Sequence, residues 1–216
     1  MFCRALTVVW CCQDFRRRFA ERRISASGGG KRTLHQGYLD EPKRRDGATV
    51  ALTAGQAPFA SILSCSDSRV PPELVFDAKL GDLFVVRNAG NIVAAAVLGT
   101  LEYGYDVLGV RLIVVLGHEK CGAVSATYDA LRDKKPLGPN LDVLQRAIAP
   151  GIAGVVTAHG SATQGGVLHA AVLANAKAQA AKLLDSPVLG PAIRKGACKV
   201  VAAEYGFVAG RVDFLT

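Results

Sequence analysis

The chain has 216 residues, half of them apolar, with six cysteines and a formal net charge of +8. That length suits one domain with a sizeable core, and no uninterrupted apolar run approaches the roughly 20 residues that cross a bilayer, which argues against a membrane partner. The charge argues equally against nucleic acid, because residues 1–50 hold eleven Lys or Arg against five Asp or Glu and the rest of the chain is nearly neutral.

In chain order, residues 1–50 read as a basic arm. Arg16, Arg17, Arg18, Arg22 and Arg23 cluster in one short helical stretch, followed by a flexible Ser-Gly run from Ser25 to Gly30. Two readings are open: an arm that packs on a neighbouring subunit, or an organelle transit peptide, Arg-rich and acid-poor. The first fits a cytoplasmic protein, the second a mitochondrial or plastid one. No secretory signal pattern is evident, so the cysteines fit a reducing compartment better than a disulfide framework.

The folded domain is expected over residues 51–216. From Ala60 strands alternate with helices: ASILSC, PPELVFDA, DLFVVRN, a helical run from Ile92 to Leu108, RLIVVLGH, and a helix opening at Gly122. Short, continuously apolar strands rich in Val, Ile and Leu are what a parallel sheet covered on both faces requires. The fold class is therefore α/β, with a mostly parallel sheet flanked by helices. A Gly- and Pro-containing stretch is expected from Pro136 to Gly166, then an alanine-rich helix over Val167–Leu184, and KVVAAEYG with GRVDFL as a hairpin at a sheet edge.

Open α/β sheets bind ligands beyond the carboxyl ends of their strands. Cys65 ends one apolar strand, His118 ends another, and Cys121 follows three residues later, so a tight turn can bring both of the latter to one point. Two thiolates and an imidazole suit zinc, and three protein ligands leave a fourth position for water, the pattern of a catalytic site. An H-x-x-C alone is weak, but it is joined here by Asp67 and Arg69 in CSDSRVPPE. The aspartate can reach the metal or accept a hydrogen bond from its water, and the arginine offers a planar fork for a carboxylate.

CSDSRVPPELVFDAKLGDLFVVRNAGNIV and VLGHEKCGAV resemble the two signature blocks of the β-carbonic anhydrases, in the same order and separation. The resemblance implies one zinc per subunit on Cys65, His118 and Cys121, with Asp67 and Arg69 as the catalytic dyad. It further implies a closed state in which Asp67 is the fourth ligand and an open one in which Arg69 holds it. Gln56 matches a substrate-orienting glutamine, while Phe84 and Tyr103 match aromatics lining the carbon dioxide pocket. The implied activity is reversible hydration of carbon dioxide to bicarbonate and a proton, in a homodimer or higher even oligomer with its pocket completed at the interface. Relatives that hydrolyse carbon disulfide or carbonyl sulfide share these ligands, and an inactive zinc scaffold is the alternative from another class. No proton shuttle is identified; His159 and His169 qualify by residue type only. Ile62 stands where members with an inhibitory bicarbonate pocket have tryptophan, and AAEYG departs from the family's usual glycine-containing strand.

Overall fold

The computed structural model describes residues 52–158 and 163–215. The basic arm and His159 lie outside these residues. Five strands, β1 (Ala60–Cys65), β2 (Leu83–Asn88), β3 (Leu112–His118), β4 (Lys199–Gly206) and β5 (Arg211–Leu215), form one sheet in the order β2-β1-β3-β4-β5. The first four are parallel, and β5 turns back antiparallel on β4 at the sheet's edge. The mostly parallel α/β expectation holds.

The central strands β1 and β3 are buried at every position, whereas edge strand β2 is only half-buried. Side chains of β3 alternate between two cores: Leu112, Val114 and Leu116 pack into one, Ile113 and Val115 into the other. Both faces are thus covered, which is why the strands read as continuous apolar runs rather than alternating ones. Each such side chain contributes about 1.5–3 kcal/mol when fully buried.

Among the described residues, six α-helices connect and cover the strands: α1 (Pro72–Val75), α2 (Ala95–Asp106), α3 (Gly122–Asp133), α4 (Asp142–Thr157), α5 (Gln164–Lys182) and α6 (Leu189–Arg194). The alanine-rich helix starts three residues earlier than expected, because Thr163 caps it by accepting from the Gly166 N–H at 3.3 Å.

The Gly- and Pro-containing stretch from Pro136 to Gly166, to which the sequence reading assigns no element, holds α4, a sixteen-residue helix with Pro150 inside it. Its buried face, Ile148 and Ile152 with Leu144, Val155 and Val156 beside them, is amphipathic despite the proline. Proline withdraws an N–H from the helix interior; next to it, the carbonyl of Ala147 accepts from Gln179 Nε2 at 3.0 Å and Lys182 Nζ at 2.8 Å, both from α5. Gly151 is required by packing, since a Cβ there would lie 2.6 Å from that of Ala178. The residues that look like breakers in sequence are the ones that let α4 lie against α5.

Candidate metal centre

β1 and β3 are neighbours in parallel register, Ser64 opposite Leu116, so their carboxyl ends emerge side by side. Cys65 closes β1 and His118 closes β3. The chain then turns through Glu119 and Lys120, the latter at φ 54, and Cys121 becomes the residue before the first turn of α3. This return places Cys121 Sγ 4.0 Å from Cys65 Sγ. The metal-binding atoms of Cys65, His118 and Cys121 all lie within 4.8 Å of one another, and all three residues are buried.

This donor set fits zinc. Two sulfurs held by a tetrahedral ion at about 2.3 Å each stand about 3.8 Å apart, close to the separation already present. His118 Nδ1 donates to the carbonyl of Glu119 at 2.9 Å, which leaves the lone pair on Nε2. That Nε2 is buried and has no hydrogen-bond partner among the described residues. An orphaned buried acceptor facing two thiols is costly unless a ligand takes it.

The electrostatics already favour a thiolate. A hydrogen bond from Cys121 is the main cause that pulls the Cys65 thiol down, helped by His118 and by the Gly90 N–H at 3.4 Å from its sulfur. Cys121 is pushed up, first by that same bond to Cys65 and then by burial and the Cys65 charge. For His118, burial favours the neutral ring, but the neighbouring Cys65 outweighs it and the net shift is upward.

Asp67 borders the cluster, its Oδ2 3.8 Å from His118 Nε2. Arg69 grips it bidentately, Nε to Oδ1 at 2.8 Å and Nη2 to Oδ2 at 2.7 Å, and the Arg69 backbone N–H adds a bond of 3.0 Å to Oδ1. Those bonds hold the Asp67 carboxyl well below the usual carboxylate range. The aspartate is thus in the arm of Arg69, the arrangement expected of an open site.

Four supporting residues were not singled out by sequence. Arg87 of β2 donates to the carbonyls of Cys65 at 2.9 Å and Asp67 at 2.6 Å, clamping the backbone that carries both. An arginine in an apolar strand was the available signal. Phe207, in the β4–β5 turn, packs its ring 5.7 Å from that of His118 and under the guanidinium of Arg69 at 4.5 Å. Glu119 anchors that turn by accepting from the Phe207 N–H at 2.9 Å. Gly90 adopts φ 76, and a Cβ there would lie 2.7 Å from Ile148 Cδ1, so only glycine can present this N–H to Cys65.

The remaining expected residues stand apart. Gln56 is exposed in the segment leading to β1. Phe84 sits opposite Ser61 whereas Asn88 sits opposite Cys65, which separates Phe84 from the Cys65 level by about 13 Å along the strand. Tyr103 packs against Phe84 with ring centroids 6.1 Å apart and is 48% exposed. His169, on α5, pairs with the buried Glu204 at 3.2 Å.

Known proteins resemble this chain in sequence and fold. A family model described as carbonic anhydrase matches residues 60–212. Carbonic anhydrase 2 of Mycobacterium tuberculosis is 46% identical over 124 residues, covering 57% of this chain and 59% of the relative, so the chain spans about three fifths of that relative's length. The carbonic anhydrase of Pseudomonas aeruginosa is 38% identical over 173 residues, 76% of each chain. Among solved structures, a tetrameric β-carbonic anhydrase from Sordaria macrospora superposes with a TM-score of 0.70 at 26% identity, covering 80% of this chain and 88% of that one. A Coccomyxa β-carbonic anhydrase in complex with acetazolamide reaches 0.73 at 26% identity, covering 84% and 82%.

Proposed function

The chain belongs to the β-carbonic anhydrase family, and from that premise we propose that it hydrates carbon dioxide reversibly to bicarbonate and a proton, with zinc on Cys65, His118 and Cys121. The observation that carries this reading is the convergence of three buried ligand atoms beside an aspartate already held by arginine. A purely structural metal site has no use for that pair.

When bound, zinc supplies a Lewis acid that makes hydroxide available near neutral pH, where bulk water provides almost none. Asp67 does the orienting. Kept ionised by Arg69, its carboxylate accepts a hydrogen bond from the attacking hydroxide and turns a lone pair toward the substrate carbon. Attack forms one C–O bond as a C=O π bond of carbon dioxide opens and its electron pair moves onto that oxygen. Hydroxide and carbon dioxide thus give bicarbonate, the proton having left to solvent when water became hydroxide. Arg69 keeps the carboxylate aimed, and Phe207 beneath it holds the guanidinium in place and keeps water from that side of His118.

The functional unit in this reading is a homodimer or higher even oligomer, with Gln56 of one protomer facing Phe84 and Tyr103 of its partner across the substrate pocket. The exposure of Tyr103 and the separation of Phe84 from the Cys65 level support a pocket completed from outside the protomer, and the tetrameric Sordaria relative is consistent with it. Thiols left unbridged at Cys65, Cys121 and Cys198 suit a reducing compartment such as the cytoplasm.

The test is stopped-flow hydration of carbon dioxide by zinc-loaded protein. Acceleration that disappears on chelation and returns with zinc is expected; a zinc-loaded protein no faster than buffer overturns the proposal.

A further inference from the structure

Helix α5 is rich in alanine, yet it turns two amides into the interior. Asn175 and Gln179, one helical turn apart and therefore on one face, are 1% and 0% exposed. Amides are costly in a core unless every polar atom is used. These atoms find partners that β-ladders and helices leave over. Asn175 Nδ2 donates to the carbonyl of Gly90 at 2.9 Å. Gln179 Oε1 accepts from the Val93 N–H at 2.9 Å, and Gln179 Nε2 donates to Asn175 Oδ1 at 3.1 Å and to the carbonyl of Ala147 at 3.0 Å.

The turn between β2 and α2 is thereby tied to α5 at two points. It needs tying, because Gly90 and Asn91 are successive residues in the left-handed region, at φ 76 and φ 45. Asn88 secures the same turn from the sheet side, with its amide bonded to both the carbonyl and the N–H of Ile92 at 2.8 Å. Between these two holds sits the Gly90 N–H, which points at Cys65 Sγ. On its other flank α5 rests on the end of β3, where a Cβ at Gly117 would lie 3.3 Å from Val172 Cγ1. One helix therefore bears on the strand end that carries His118 and on the turn that caps the sulfur of Cys65.

We propose that Asn175 and Gln179 are positioning residues for the Cys65 thiolate, acting through the Gly90 turn, and that they set how firmly the metal is held. The inference rests on Cys65 being a metal ligand, as proposed above. An N–H aimed at a thiolate stabilises its charge and fixes which lone pair faces the metal, and partners of this kind commonly change metal affinity by about 10- to 100-fold. Losing the Asn175 donor would leave the Gly90 carbonyl without its side-chain partner, and the turn would relax toward ordinary backbone angles. The Gly90 N–H would then leave the sulfur.

The experiment loads the full chain with cobalt(II), whose thiolate charge-transfer absorption reports on sulfur donation, and times metal release to a chelator. It compares wild type, Asn175→Ala and Gln179→Met. Gln179→Met keeps the length of the side chain and adds no buried charge while removing its bonds to the Val93 N–H, Asn175 and Ala147, so it remains informative should Asn175→Ala fail to fold. Ser186→Ala serves as a control, since Ser186 caps α6 and bonds Glu102. We expect a shifted charge-transfer band and metal release faster by about 10-fold or more in the two amide variants, with the control like wild type. Folded amide variants matching wild type in band and release rate overturn the positioning role. Release accelerated equally in the control overturns it as well, because the effect would then be general destabilisation. Wild type without a thiolate band would instead refute Cys65 as a ligand.

Discussion

The carboxyl ends of β1 and β3 and the outer face of β2 differ in what one protomer completes. At the strand ends, Cys65, His118, Cys121, Asp67 and Arg69 meet within hydrogen-bonding or ligand distance, and Arg87, Glu119, Phe207 and Gly90 hold them. At the β2 face, the rings of Phe84 and Tyr103 lie 6.1 Å apart and Tyr103 is 48% exposed. The proposed metal chemistry is built from the fold's own register, while Phe84 and Tyr103, the aromatics proposed to face substrate, belong to a surface only partly covered.

Breaking the first region is expected to have the largest effect. Cys121→Ser should lower metal content from about one per chain to a small fraction, read by elemental analysis, with activity lost alongside; full metal retention would remove Cys121 from the ligand set. Next comes Arg69→Ala, which frees Asp67 to swing toward the cluster or away from it. We expect hydration to fall about 100- to 1,000-fold with metal retained. The pH profile sharpens this. Because Asp67 is held far below the usual range, it stays ionised throughout the working window. Activity in the wild type should therefore rise with pH through a value near 7, set by water on the metal, and a flat profile would mean the pair is misread.

The second region should respond differently. Tyr103→Ala is expected to lower kcat/KM about tenfold while leaving metal content unchanged. Wild-type activity should also drop on dilution as light scattering shows the oligomer dissociating. A fully active monomer at all dilutions would make the site self-contained and dissolve the contrast between the regions.

The smallest expected effect lies outside both, at Glu204. Burial pushes its carboxyl up, His169 opposes that, and Glu119 and Asp213 reinforce it. The raised value favours the protonated fold, so its stabilising contribution is present at low pH and lost as pH rises through the folded value. Glu204→Gln should accordingly raise Tm near pH 8, on the order of 2 °C, with the gain vanishing toward about pH 4. A loss of stability at pH 8 would show that the ion pair with His169 outweighs the cost of burial.

Much of this was legible in the chain. The strands around Cys65 and His118 announce themselves because both faces of a parallel sheet are buried, and H-x-x-C spans one tight turn, so spacing alone brings its ends together. The Asp67–Arg69 pair is equally local. What stayed hidden depends on distant segments. Helix α4 was masked by Pro150 and Gly151, whose tolerance comes from Lys182, Gln179 and Ala178 on another helix. Phe207 reaches His118 only through the pairing of β4 with β3, and Asn175 reads as one polar residue in an alanine-rich helix until Gly90 stands opposite it.

The parallel pairing of β1 with β3 also bears on how the protein acquires its site. Cys65 and Cys121 are 56 residues apart in sequence, and between them lie β2 and α2, which must first cross the sheet. Parallel partners cannot be joined by a hairpin, so their contact closes a long loop and forms slowly compared with local structure. A chain with helices formed but β1 and β3 still apart holds only the His118–Cys121 half-site, too few ligands to retain zinc against competitors. Metal capture in this fold therefore reports the pairing of β1 with β3, and a refolding chain should acquire its ion only once those two strands have met.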